Sequence, residues 1–268
     1  MSLETKMKGT MDIDLDDYCN FESHDKKIDE NKQEKDLNIE ILFPEYCGYF
    51  GDGQNMRYLQ KCIPQANFIK TSLDEIPYFA NNNVDLIYMG TMTEHTQERV
   101  IQKLLPYKEK IKQMIEEKVN MLFTGNSIEI FGKYIEKENG EKIQALDIFP
   151  IYAKRDMMNR HNSLFIGKYE DTKIVGFRSQ FTFAYGNNDN CYFSKVEKGI
   201  GLNPESKLEG IKINNCIATY LLGPICILNP EFTKKILKNM GIGNINLAFE
   251  EDTKKAYTQR LKEFENVQ

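Results

Sequence analysis

The sequence predicts an α/β domain: a central, mostly parallel sheet flanked by helices, with an antiparallel extension. Three observations carry this. Between residues 38 and 134, short apolar runs alternate with stretches of helical period, giving β-α-β-α-β-α-β-α. From about residue 147, the pattern changes to short strand-like runs split by Gly, Asn and Asp. The 268 residues, 41% hydrophobic and 28% charged, suffice for one large domain with appendages.

Taken in order, residues 1–37 are rich in Asp, Lys, Glu and Asn and lack a sustained apolar period. They read as a disordered or loosely docked charged leader. The domain proper is expected over 38–245, with a C-terminal helix over 246–268. Ile39 to Phe43 is a buried strand stopped by Pro44. Met56, Leu59, Cys62 and Ile63 fall at helical spacing. Asn67 to Lys70 is a second strand, Ser72 to Glu75 opens a short helix, and Val84 to Met89 is a third strand ending at Gly90. Glu94 to Lys118 reads as helix interrupted at Pro106. Val119 to Phe123 is a fourth strand, expected to run through Thr124-Gly125-Asn126 into a helix holding Ile128, Ile130, Phe131 and Tyr134. Five strand-like runs follow, over 147–153, 163–169, 172–177, 190–196 and 211–219. Helices are expected over about 230–240 and 247–265.

The net charge of −5 gives no basic footprint, so nucleic acid is not an expected partner. No apolar run approaches the ~20 residues of a membrane helix, and no apolar stretch follows a basic start. The expected compartment is the cytoplasm. Cys19, Cys47, Cys62, Cys191, Cys216 and Cys226 form no C-x-x-C pair, which points away from a zinc site or a disulfide framework. No metal or cofactor is expected.

Open α/β sheets hold ligands outside the carboxyl ends of their strands. Three loops qualify, over 43–55, 90–97 and 124–127. The third joins a strand to an expected helix through a glycine, the shape of a nucleophile elbow. Amides at such a turn lower a thiol pKa or stabilise an oxyanion. The alternative reading is an ordinary strand-to-helix turn.

The residues Met121-Leu122-Phe123-Thr124-Gly125-Asn126-Ser127-Ile128-Glu129-Ile130-Phe131-Gly132-Lys133-Tyr134 resemble the elbow of class I glutamine amidotransferases of the cobyric acid synthase type. The likeness is strongest to glutaminase subunits of lipid II isoglutaminyl synthase, which have an apolar strand, Cys-Gly-Gly, an aromatic, Gln, two leucines and Gly-Lys-Tyr. Other stretches agree in order. Tyr49-Phe50-Gly51-Asp52-Gly53-Gln54-Asn55 resembles the family's Tyr-Gly-Asp-Arg-Gly-Asn loop, and Met89 to Gln97 its Gly-Gly-Gly-Gln-Asp segment. Val175-Gly176-Phe177 matches the strand before its Glu-Asn-His. Ala218-Thr219-Tyr220-Leu221-Leu222-Gly223-Pro224 resembles its Gly-Thr-Tyr-Leu-His-Gly-Pro. The resemblance spans about residues 38 to 240 and implies a flavodoxin-like class I glutamine amidotransferase fold. It implies a bacterial protein of peptidoglycan assembly, paired with a Mur-ligase-like subunit.

Registered on these motifs, Gly125 stands at the family's nucleophilic cysteine and Leu222 at its histidine. Neither can attack an amide or carry a proton. Thr91 and Met92 replace glycines, and Arg178-Ser179-Gln180 replaces Glu-Asn-His. Ser127 and Thr124 are candidate substitute nucleophiles, with His95 as base; the alternative makes Ser127 a helix cap and His95 a solvated loop residue. Gly90, Thr91, Gly125, Asn126 and Ser127 are candidate ligand-binding positions for a small carboxylate or amide. Three functions are open: a non-hydrolysing subunit of an amide-forming enzyme, a module binding glutamine, glutamate or a cell-wall precursor, and an amidase with a rebuilt Ser/Thr site.

Overall fold

The structure, a computed structural model, describes residues 36–267. The expected leader lies outside the described residues up to residue 35, as do Cys19 and His24.

The first half follows the sequence reading except between the second and third strands, where residues 72–75 form a turn followed by a 3₁₀ turn at Tyr78–Ala80 in place of the expected short helix. It runs β1 (Asn38–Leu42), α1 (Gln54–Cys62), β2 (Asn67–Thr71), β3 (Leu86–Met89), α2 (Glu94–Leu104), α3 (Lys108–Glu116) and β4 (Asn120–Thr124). A 3₁₀ turn at Leu105–Tyr107 separates α2 from α3 at Pro106, which has no N–H to continue the helix. The second half holds β5 (Tyr134–Glu136), β6 (Lys142–Gln144), β7 (Ile151–Arg155), β8 (His161–Tyr169), β9 (Thr172–Gln180), β10 (Thr182–Gly186), β11 (Ser194–Lys198), β12 (Leu208–Glu209), β13 (Ile211–Ile213) and β14 (Cys216–Thr219). The chain closes with α4 (Ile225–Leu228), α5 (Pro230–Asn239) and α6 (Glu250–Asn266).

The central sheet has the order β13-β14-β4-β3-β1-β2. Every pair is parallel except the β13–β14 hairpin. Side chains alternate across it, as strand geometry requires. Ile39, Ile41, Leu86, Tyr88 and Leu122 pack on one face with α1, α4 and α5. Ile87, Met89, Met121 and Phe123 pack on the other with α2 and α3. The two faces are therefore both covered, which explains the near-continuous apolar runs of β3 and β4.

The expected antiparallel extension forms two further sheets, β10-β7-β5-β6 and β12-β11-β8-β9, and departs from antiparallel pairing only in the parallel β5–β7 pair. In the first, Tyr134, Tyr152 and Tyr185 stack across neighbouring strands, with centroids 5.0 and 5.7 Å apart. Such cross-strand aromatic contacts stabilise a small sheet. The second sheet packs Ile166 and Val175 against Tyr257, Leu261 and Phe264 of α6. Lys198 binds the carbonyls of Phe264 and Val267, capping the end of that helix.

The segment after β4 also differs from expectation. Residues 125–131 form a 3₁₀ turn, and Tyr134 opens β5 instead of ending a helix. All seven residues of the turn are buried. It starts from the left-handed Gly125 and ends at the extended Gly132, so the short 3₁₀ pattern does not continue as an α-helix. The chain swings away at Gly132, where an added Cβ would lie 2.9 Å from the Ile151 carbonyl oxygen.

Candidate functional site

The loops after β1, β3 and β4 meet where the strand order of the sheet reverses, the usual ligand position in this architecture. Asp52, fully buried, ties them together. Its carboxylate accepts hydrogen bonds from the Thr91 amide at 3.0 Å, the Thr124 hydroxyl at 2.5 Å and the Asn55 carboxamide at 2.9 Å. The Tyr88 hydroxyl donates to the Asp52 backbone carbonyl at 2.8 Å. Burial pushes the Asp52 carboxyl up to about 6, against the lowering effect of these hydrogen bonds. Gly90 is required by close approach: a Cβ there would sit 2.7 Å from the Cys47 carbonyl oxygen and 3.1 Å from Asp52 Oδ2.

The turn after β4 begins at Gly125. Gly125 has φ +63°, a left-handed conformation. A Cβ at this position would lie 2.5 Å from Thr91 Oγ1, nearer still to Thr91 Cβ, and 3.2 Å from Leu222 Cδ2. Positions 125 and 222 thus face each other, and Thr91 fills the volume a side chain at 125 would need. Leu222 is held there by paired backbone hydrogen bonds with Phe177.

Asn126 closes the loop that faces the elbow. Its Oδ1 accepts from the Met92 amide at 3.0 Å and the Thr91 hydroxyl at 3.1 Å. Its Nδ2 donates to the Met92 carbonyl at 2.8 Å. The amides of Thr91 and Met92 are therefore both engaged internally, one by Asp52 and one by Asn126. Asn126→Ala leaves three buried polar groups without partners and is expected to cost about 2–3 kcal/mol. Denaturant titration measures this, together with faster hydrogen exchange at the Met92 amide.

The substitute nucleophiles are enclosed. Ser127 donates to the Thr124 carbonyl at 2.6 Å and also approaches the Met89 carbonyl. It bonds strand-end carbonyls instead of capping a helix through an amide, because the 3₁₀ turn has no side-chain cap. Thr124 gives its hydrogen to Asp52, and both are fully buried. His95 stands in the first turn of α2, exposed, and not in a loop. Thr93 caps that helix through the Thr96 amide. The sequence-selected residues Gly90, Thr91, Thr124, Gly125, Asn126 and Ser127 do converge on one place. Only Thr91 and Asn126 among them line an open cleft. Cys226 is a buried packing residue of α4 whose amide binds Asn55 Oδ1. Among the described residues, no group of His, Cys, Asp and Glu converges in a way that could hold a metal ion.

Behind the elbow lies a second polar layer. Gln97 Nε2 donates to the Asn126 carbonyl at 2.6 Å and to Glu129 Oε2 at 2.8 Å. Arg155 holds Gln97 Oε1 at 2.7 Å and pairs with Glu98 at 2.8 Å. Burial pushes the Glu129 carboxyl up to about 7. Asp52 and Glu129 therefore bind their protons more tightly in the folded than in the unfolded chain. Their contribution to stability is complete below about pH 4 and is lost as pH rises through about 6 for Asp52 and about 7 for Glu129. Burial raises Glu40 and Glu209 in the same sense. His161, lowered mainly by burial, acts in the opposite sense. Unfolding free energy is expected to fall by about 3 kcal/mol between pH 5 and pH 8, measured by urea titration at fixed ionic strength. A profile that is flat or rises over this range contradicts it.

Above Asn126 opens a cleft of about 180 Å³ between the loop after β3 and the β9–β10 corner. Tyr49, Phe50, Glu94, Arg160 and Gln180 are among its walls. Arg160 was not singled out from sequence, since a surface arginine between two turns carries no motif. Its guanidinium lies 4.4 Å from the Phe181 ring centroid and 5.9 Å from that of Phe50, with no acidic partner among the described residues. A guanidinium beside aromatic rings can also pair with a planar anion such as a carboxylate.

No family model matches the chain. It is 27% identical over 206 residues to the lipid II isoglutaminyl synthase (glutamine-hydrolyzing) subunit GatD of Staphylococcus aureus strain N315, covering 76% of this chain and 84% of that protein. It is 23% identical over 210 residues to the subunit of the same name from Streptococcus pneumoniae strain R6, covering 75% and 79%. A solved glutamine amidotransferase superposes with a TM-score of 0.51 at 9% identity, over 76% of this chain and 99% of that one. With the observed strand order, this establishes the flavodoxin-like class I glutamine amidotransferase fold. No helix among the described residues is long and apolar enough to cross a membrane.

Proposed function

We propose that this chain is a glutamine amidotransferase-like protein that does not hydrolyse glutamine and serves as a partner or regulatory subunit of a Mur-ligase-like, amide-forming enzyme in lipid II amidation. The observation that carries this reading is the facing pair Gly125 and Leu222, with Thr91 filling the space between them. No thiol or imidazole stands at the turn after β4, and both loop amides are engaged internally. The similarity to proteins named as subunits of a glutamine-hydrolysing lipid II isoglutaminyl synthase supports lipid II amidation as the setting and a further subunit as the partner. The test is ammonia release from glutamine by purified protein, with and without a co-expressed Mur-ligase-like protein. No release in either setting, with stable co-purification, is the expected result. Release that is lost in Ser127→Ala would overturn it.

A second reading has its own support. The cleft beside Asn126, with Arg160 at its wall and no acidic partner for it among the described residues, suits a small carboxylate or amide ligand such as glutamine, glutamate or a cell-wall precursor. On this reading glutamate raises the melting temperature in proportion to the logarithm of its concentration, and Arg160→Ala removes the effect. A rebuilt Ser/Thr amidase has less support, because the hydroxyls of Ser127 and Thr124 are buried and already donated.

A further inference from the structure

One pair of side chains on the antiparallel extension has the geometry of a nucleophile and its base. His161 and Ser163 lie two apart on β8, so both project from the same face of that strand. His161 Nε2 stands 2.9 Å from Ser163 Oγ. An imidazole at that distance can take the proton of a hydroxyl. With the ring proton on Nδ1, Nε2 accepts the hydrogen bond from Ser163. Both residues are half-buried, whereas Ser127 and Thr124 are fully enclosed.

The surroundings hold the ring and set its charge. The His161 ring meets the Phe183 ring edge-on, with centroids 5.3 Å apart. Burial, and then the positive charge of Arg178, keep the imidazole below its usual range, so it is neutral at pH 7. The neutral ring is the form that acts as a base. Across the sheet, His161 pairs with Gln180. Gln180 walls the cleft above Asn126, as does Arg160, the residue before His161. The pair therefore stands beside that cleft, on a different strand from the elbow.

Among the described residues no carboxylate is hydrogen-bonded to the His161 ring. An imidazole without that support is a weaker catalyst of proton transfer. An amide needs its leaving nitrogen protonated, whereas a phenolate or similar leaving group needs little help to depart. The substrate class that fits is therefore a small activated acyl ester, and not the amide of glutamine.

We propose that Ser163 and His161 form a nucleophile–base pair that accepts the acyl group of a small activated ester. Ser163 Oγ attacks the carbonyl carbon as its proton passes to His161 Nε2. The bond to the leaving oxygen breaks, and that oxygen recovers the proton from His161. Water then attacks the acyl-serine and gives one proton to His161, which returns it to Ser163 Oγ as the carboxylic acid departs. The inference does not rest on the functional proposal, since it uses neither the elbow nor a partner.

The test is to incubate the full chain with a fluorophosphonate, from which attack by Ser163 Oγ expels fluoride, and to locate the adduct by mass spectrometry. Release of 4-nitrophenol from 4-nitrophenyl acetate gives a second readout. One adduct on Ser163 is expected, with 4-nitrophenol released faster than by Ser163→Ala. His161→Gln keeps a polar side chain beside the hydroxyl and is expected to slow labelling of Ser163 by about 100-fold. A wild-type chain that carries no adduct on Ser163 would overturn the proposal, whether or not the variants fold. A label on Ser127 in its place, or equal labelling rates in the wild type and His161→Gln, would overturn it as well.

Discussion

Gly125→Ala is expected to lower the unfolding free energy by about 3 kcal/mol. About 1 kcal/mol comes from forcing a side chain into the left-handed conformation at φ +63°. The rest comes from overlap with Thr91, whose Oγ1 lies 2.5 Å from where the new Cβ must go. The second part is relieved when Thr91 is shortened, so Thr91→Gly combined with Gly125→Ala should lose less than the sum of the two single changes. A double-mutant cycle by urea denaturation reads this coupling, expected near 1–2 kcal/mol. Strict additivity would mean that the two residues do not compete for the same space.

Arg178→Ala carries the other large effect. The guanidinium is fully buried and lies among the carboxylates of Glu129 and Glu209 and the ring of Tyr220. Removing one member of a buried charge cluster leaves the others uncompensated, and the cost is on the order of 3–5 kcal/mol. Part of this cost falls on Glu209, whose carboxylate keeps only the Thr219 and Tyr220 hydrogen bonds. The loss in Arg178→Ala is therefore expected to be smaller at pH 5, where protonation can relieve the unpaired carboxylates, than at pH 8. Equal losses at the two pH values would show that packing, and not charge, dominates at this position.

The parallel half of the fold was legible because both of its signals are local. Val84 to Met89 and Val119 to Phe123 are apolar runs of strand length, and the helices between them repeat apolar residues at helical spacing. The short strands β5, β6, β10 and β12 were not foreseen. Segments such as Lys142–Gln144 carry two charged or polar residues out of three and become strands only by pairing with distant partners. The turn at 125–131 was misread as helix because its apolar spacing does not reveal the left-handed Gly125 and the extended Gly132 that bound it.

At the site, the facing of Gly125 and Leu222 followed from the motif resemblance alone. The role of Thr91 did not, because nothing in the spacing shows which side chain enters the space a glycine leaves. Glu129 was not singled out from sequence, and Arg178 stood only within the segment Arg178-Ser179-Gln180. In the structure they belong to one buried cluster, where the Glu129 carboxyl faces the Arg178 guanidinium. Asp52 looked like part of a glycine-rich turn, although it is the residue on which all three loops converge.

The pairing of β14 with β4 also sets an order of events. Cys216 must find Met121 after the chain has passed through both antiparallel sheets, whereas β1, β2, β3 and β4 join through short crossovers. Closing so long a loop is entropically slow compared with the local steps that precede it. The first four strands can therefore assemble early, and the fifth locks on late. Gly125 follows β4 and Leu222 follows β14, so the two halves of the elbow site come together only at that closing step. A partially folded chain would carry the early sheet with an unmade site and an exposed β4 edge. The approach of Leu222 to the space beside Gly125 is therefore made only once β14 has joined the sheet.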